Sequence, residues 1–314
     1  MNAGGAFEFR REELALLSPT KQRTLVSDEE VTASFFNGIA FDGGFYREYI
    51  REAQIAVCIG NTLFVHGAIT DASMGFVPAL TNRYQIQPVQ GLDTSETHSV
   101  QEWVVALNAY KTNAFADFLA HPFYNGNRTY RGGEALCAYA HIKSMERRTV
   151  LVSSFVSPVT GNLEPVSLPV VRYLNKSGIR RVVVGHKPFS DCPCSIRTAD
   201  LEVINGDTSF SDTTARDNRG SSAYEICIVG DQENNQTQIN GYLKSEERVV
   251  FTLPPICADS DALHGFDKGD EWIGTQYPYT SDIWIKCKLA NNQEQLPYSL
   301  VKGEGILSEN WMSF

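Results

Sequence analysis

No apolar run in this 314-residue chain approaches the ~18 residues that a membrane-spanning helix needs, so neither a helical span nor a membrane partner is expected. Cationic charge is also scarce: 27 Lys and Arg stand against 37 Asp and Glu, a formal net charge of −10. A surface that tracks nucleic-acid phosphates needs the opposite balance, so no nucleic-acid partner is expected. The opening stretch, MNAGGAFEFRREEL, has no basic start followed by an apolar segment and does not read as a secretory signal; the expectation is a cytoplasmic protein. Cysteines number seven, an odd and scattered set, and several lie inside apolar runs, which predicts reduced, buried thiols and no disulfide framework. Internal repeats and low-complexity tracts are missing too.

What is present is an ordinary globular composition, 42% hydrophobic and 20% charged, long enough for one large domain or two average ones. Helices are predicted over Phe7–Leu17, from Asp28 to about Phe36, and over Phe45–Ala53, where Tyr46, Tyr49 and Ile50 recur at helical spacing. Ile55–Ile59 and Thr62–Val65 read as strands joined by the two-residue turn Gly60-Asn61. Residues 68–97 have no sustained period and predict a long loop with one short helix. Val100–Leu119 is the strongest helix, with Val104, Leu107, Asn108, Phe115 and Leu119 near one face and His121-Pro122 ending it.

A polar turn, YNGNRTYRGG, follows at 124–133, then a helix from Glu134 to about Met145. Val150–Phe155 predicts a strand, Leu168–Asn175 a helix and Arg181–Val184 a strand. Segments 201–204, 224–229, 236–242 and 247–252 continue as an antiparallel run. Beyond Pro254-Pro255 the chain shifts toward Asp, Gly, Trp and Tyr, with Trp284–Leu289 and Pro297–Val301 reading as a hairpin. The expected organisation is therefore residues 1–255 as an α/β domain with mixed sheets and residues 256–314 as a small β-rich module.

The chemistry concentrates in two stretches, TLFVHG at 62–67 and RVVVGHKP at 181–188. Each is a β-prone run delivering a histidine, His66 or His186, to a loop beside a glycine, a pattern suited to presenting an imidazole to a metal ion or a phosphate. Ordinary histidines satisfied by local hydrogen bonds are the competing explanation. His98, His121, His141 and His264 have no motif around them and are expected in surface or capping roles. Arg128 and Arg131, in the glycine-containing turn between the histidine stretches, are candidate phosphate clamps or simply exposed charge. Cys192-Pro-Cys194 is a C-x-C pair with no second pair to complete a zinc site, and a Cys192–His186 nucleophilic couple lacks an activating third group.

The order VHG, GHKP with a Cys-Pro pair after it, NGDTSFSD and DNRGSSAYEI resembles the C-terminal part of the calcineurin-like metallophosphoesterase superfamily. RGGEAL at Arg131–Leu136 and the element Gly303-Glu304-Gly305 strengthen the likeness to a eukaryotic branch, and the resemblance runs from about Tyr46 to Gly305. It implies a metallophosphoesterase-like mixed β-sheet sandwich flanked by helices, and a phosphoesterase or phosphatase hydrolysing a phosphorylated substrate with metal-activated water. By that resemblance His66 and His186 are ligands of one divalent ion (Mn, Fe or Zn). Asp207, in NGDTSF, either orients a ligand histidine or caps a turn, and Asn218 and Arg219 are lesser candidates of the same kind.

The chain departs from the family in one respect. No GDxH, GDxxD or GN(H/R)D element precedes His66, where Asp28 and Asp42 are the only aspartates. The resemblance thus implies a domain whose N-terminal part is missing. The expected consequence is a single or weakly held ion, or a catalytically inactive binding module, because two ions need a bridging carboxylate to clamp attacking and leaving oxygens together.

Overall fold

The computed structural model describes residues 5–18, 22–40, 42–79, 91–93, 98–141, 148–156, 166–188, 193–197, 200–208, 224–231, 234–242, 248–252, 256, 265–268 and 271–274. The chain divides into two compact units, Met1–Gln54 and Ile55–Phe314. This division after Gln54 was not anticipated. Most of the module expected at 256–314 lies outside the described residues, as do the expected hairpin at 284–301, the GEG element at 303–305 and Cys257, Cys287 and His264.

The first unit is helical: α1 (Ala6–Leu17), α2 (Asp28–Ala40) and α3 (Phe45–Glu52), with a single 3₁₀ turn at Arg23–Leu25. The cap of α2 is Ser27. Its Oγ accepts from the Glu30 N–H at 3.2 Å while the Glu30 carboxylate accepts from the Ser27 N–H at 3.0 Å, a reciprocal arrangement that satisfies two otherwise unpaired donors. Asp28, Glu29 and Glu30 still favour the positive end of the helix dipole. Arg11 fastens α1 to the start of α2 through the Val26 carbonyl and the Asp28 carboxylate.

The second unit is built on a five-stranded mixed sheet of order β1-β2-β5-β7-β6. Its strands are β1 (Ala56–Ile59), β2 (Thr62–Val65), β5 (Arg181–Val184), β6 (Cys194–Arg197) and β7 (Glu202–Asn205). β1 and β2 form the expected hairpin, with Ile59 opposite Thr62 and Gly60 at φ 58°, a left-handed conformation that glycine adopts without steric cost. β2, β5 and β7 are mutually parallel, and β6 closes the far edge antiparallel to β7. The expectation of an all-antiparallel run from residue 201 is therefore corrected for β7. It holds for β8 (Tyr224–Val229), β9 (Gln236–Tyr242) and β10 (Arg248–Thr252), which form a separate antiparallel sheet of order β10-β9-β8. Two small antiparallel pairs complete the strands among the described residues: β3 (Phe76–Pro78) with β4 (Gly91–Asp93), and β11 (Gly265–Lys268) with β12 (Glu271–Gly274). No helix appears among the described part of 68–97.

Helices α4 (Val100–Ala120), α5 (Glu134–Tyr139) and α6 (Leu168–Lys176) pack against this framework. α4 begins with a full capping box, Ser99 with Glu102, and buries Val100, Trp103, Val104 and Leu107. Trp103 spends its only donor on the Phe76 carbonyl at 2.9 Å, so a large ring is buried with no unmet polar atom. Asn108, on the face expected to be apolar, accepts from the Ile55 N–H at 2.9 Å and donates to the Ala56 carbonyl at 2.8 Å, so α4 caps the edge of β1. Leu63, Val182, Val203 and Leu174 join the same core, each essentially inaccessible to water.

Among the buried polar groups, one cluster centres on Arg181. Arg181, fully buried at the start of β5, donates Nε to the equally buried Glu202 carboxylate at 2.7 Å. The same oxygen accepts from Thr237 Oγ1 at 2.7 Å, and Arg181 Nη1 donates to Asn235 Oδ1 at 2.6 Å. A buried ion pair survives only when such partners offset its desolvation, and here they also tie the five-stranded sheet to β9. Val150–Phe155, expected as a strand, is instead an irregular, mostly buried segment whose Val150 and Ser153 carbonyls accept from the Gly67 and Ala68 N–H groups at 2.6 and 2.8 Å.

Candidate metal centre at the sheet edge

Parallel pairing puts the carboxyl ends of β2, β5 and β7 side by side, with Phe64 opposite Val183 and Val184 opposite Asn205. The residues that leave these three strands are His66, Gly185-His186 and Gly206-Asp207. In open α/β sheets the crevice beyond such strand ends is where ligands bind. The two imidazoles meet edge to face with ring centroids 5.3 Å apart and planes inclined by 65°. Main-chain bonds fix the loops: the Gly185 N–H donates to the His66 carbonyl at 2.9 Å and the Gly206 N–H to the Val184 carbonyl at 2.8 Å. An added Cβ on Gly185 would lie 3.6 Å from the His66 carbonyl oxygen and 4.0 Å from Asp207 Cβ, which measures how closely the three loops gather.

His186 has an unusual backbone. Its φ is 73°, and the N–H of Lys187 donates to the Gly185 carbonyl at 2.9 Å across it. That closes a γ-turn with positive φ, a rare and strained conformation for a residue carrying a Cβ. Gly67 has no such strain but no room: a Cβ there would stand 2.4 Å from the Ser153 carbonyl oxygen.

Electrostatics favour a neutral His186. Burial and the neighbouring His66 ring lower its pKa below the ordinary histidine value, opposed by the Asp207 carboxylate and by a hydrogen bond to the Val152 carbonyl. A neutral imidazole keeps a lone pair for a metal ion. His66 is exposed, while His186 and Asp207 are half-buried, so the pair faces solvent on one side.

The structure thus brings together three of the sequence candidates, His66, His186 and Asp207. Arg128 and Arg131 lie elsewhere, in the turn after α4. Arg128 has a positive φ of 54° and donates its N–H to the Asn125 carbonyl at 2.9 Å; the Arg131 guanidinium lies over the Tyr124 ring, 5.1 Å from its centroid. Their described contacts stay within residues 121–133 and none reaches either histidine. That turn is held by Asp117, which accepts from Tyr130 Oη and, at 3.0 Å, from the Gly133 N–H. Burial raises the Asp117 pKa, but those two bonds and His121 outweigh it and leave the carboxyl below its usual range. His121 serves as the C-cap of α4 and His98 lies 3.7 Å from Glu102, the peripheral roles expected of them.

Among the described residues no three His, Cys, Asp or Glu side chains converge as a metal cage. Two imidazoles with a carboxylate loop beside them are fewer converging donors than a protein site for a borderline ion ordinarily supplies, and they do not fit two ions sharing a bridging carboxylate. Cys192, Asn218 and Arg219 lie outside the described residues. Of the free thiols described, Cys58 and Cys227 are only half-buried and Cys137 is exposed, which corrects the expectation of burial for these three. Asn205, the last residue of β7, is a site neighbour that sequence reasoning missed; a single asparagine ending a short apolar strand carries no local signal. The chain matches no family model, no curated protein and no solved structure.

Proposed function

We propose that this chain is a metal-dependent phosphoesterase of the calcineurin-like type, with His66 and His186 as ligands of one divalent ion, Zn²⁺ being the best suited to an imidazole pair and Mn²⁺ or Fe the alternatives. The observation that carries this reading is the convergence of the two rings, 5.3 Å apart, from residues 120 positions distant in sequence (186 minus 66) at the carboxyl edge of parallel strands. When bound, the ion supplies Lewis acidity toward water and toward a phosphoryl oxygen. His186 contributes a lone pair kept free of a proton by burial. Asp207 contributes negative charge beside His186. Arg128 and Arg131 enter as phosphate clamps on sequence grounds alone, since their contacts remain inside their own turn.

A second reading, a non-catalytic binding module that retains the two-histidine site, is favoured by the want of a carboxylate cage among the described residues. Hydrolysis of an aryl phosphate in Zn²⁺ or Mn²⁺ separates the two. Metal-dependent turnover that His66→Ala and His186→Ala each abolish supports the enzyme. Metal binding without turnover supports the module, and neither binding nor turnover removes the metal-site reading altogether.

A further inference from the structure

We propose that Asn205 is the positioning residue of this site: its side-chain amide holds the loop of His186 and the loop of Asp207 in one arrangement. Asn205 ends β7, is 5% exposed and spends both halves of its amide on neighbouring main chain. Nδ2 donates to the Lys187 carbonyl at 2.9 Å, and Oδ1 accepts from the Asp207 N–H at 3.2 Å. The first bond fixes the residue that follows His186 and the second fixes Asp207 itself.

The need for such a support follows from the backbone. His186 sits at φ 73°, a strained conformation for a residue with a side chain that persists only where its surroundings over-determine it. One restraint is local, the Lys187 N–H to Gly185 carbonyl bond at 2.9 Å. The residue before His186 is held from outside the turn by the Gly185 N–H to His66 carbonyl bond at 2.9 Å, which leaves the Lys187 side to be fixed. The Asn205 amide restrains the other side of the turn, because it grips the Lys187 carbonyl from a neighbouring strand whose register, Val184 opposite Asn205, is set by the sheet. Only an amide can do both jobs here. A carboxylate accepts but does not donate, and a hydroxyl on a shorter stem does not span both loops.

This inference rests on the metal-site reading for its consequence but not for its geometry, and two measurements keep them apart. In the metal-free full chain, NMR residual dipolar couplings report φ at His186. Zn²⁺ titration reports the site. Asn205→Asp preserves the acceptor for Asp207 and removes the donor to Lys187; Asn205→Ala removes both. Both variants are expected to move His186 from positive to negative φ, and Asn205→Ala to weaken Zn²⁺ binding by about 10–100-fold, the usual effect of losing a group that orients a ligand. Zn²⁺ affinity is read from the alanine variant alone, because the aspartate adds charge beside the ion. Retention of positive φ in both variants would overturn the proposal. So would global unfolding of both, which would make Asn205 a general structural residue. Should the wild-type chain bind no Zn²⁺, the metal reading fails while the φ measurement still decides the role of Asn205.

Discussion

Replacing Gly67 by alanine tests the link between fold and site most sharply, because the new methyl group has nowhere to go. Its Cβ would stand 2.4 Å from the Ser153 carbonyl oxygen, 3.0 Å from that of Val150 and 3.1 Å from Leu151 C. All three are backbone atoms, which cannot swing aside as a flexible side-chain tip can. Overpacking of this kind costs about 1–3 kcal/mol. If the 150–153 segment yields, the Gly67 N–H to Val150 carbonyl bond of 2.6 Å is lost as well, adding about 1 kcal/mol. Gly67→Ala is therefore expected to destabilise the second unit by about 2–4 kcal/mol, read as a lowered urea midpoint at unchanged m-value. Because the Gly67 N–H to Val150 carbonyl bond anchors the loop that carries His66, the variant should also weaken Zn²⁺ binding. Gly185→Ala is the internal control: its Cβ meets nothing nearer than 3.6 Å, an ordinary contact, so its cost should stay within about 1 kcal/mol. Equal destabilisation by the two substitutions would refute the reasoning.

Two further predictions concern the framework. Glu202→Ala leaves the Arg181 guanidinium buried without its carboxylate and should cost about 3–5 kcal/mol in chemical denaturation, whereas the double change Arg181→Met with Glu202→Leu should recover most of that loss, since the pair's desolvation disappears with it. Ser99→Ala removes the acceptor for the Glu102 N–H at 3.2 Å and dissolves the capping box of α4, which should lower stability by about 1 kcal/mol in the same assay; an unchanged midpoint would show that α4 is held by packing alone.

The elements that sequence reading located well are those whose signal is local. The β1–β2 hairpin is announced by two apolar runs around Gly60-Asn61, and α4 by an apolar stripe ended by His121-Pro122; in both, the pattern and the structure coincide within a residue or two. β7 shows the opposite case. Its residues read as a strand, but its parallel pairing with β5 is a long-range choice that nothing inside Glu202–Asn205 encodes, and it is this pairing that carries Asp207 to the side of His186. Val150–Phe155 misled for a different reason. It has the apolar content of a strand, yet its carbonyls are turned to receive Gly67 and Ala68, so burial came without sheet pairing. The histidines were legible because each ends an apolar run beside a glycine. Asn205 was not, because its importance lies in two hydrogen bonds to loops from other positions in the chain. Arg128 and Arg131 were placed near the histidines only by their position between them in sequence, which the fold does not translate into contact.

Calorimetric titration of the metal-free protein with Zn²⁺ at neutral pH tests the central claim most directly. The two-histidine centre predicts one ion bound per chain, with binding lost in His66→Ala and in His186→Ala alike, because each removes half of the imidazole donor pair. Binding that survives both substitutions, or a wild-type chain that takes up no ion, would contradict it.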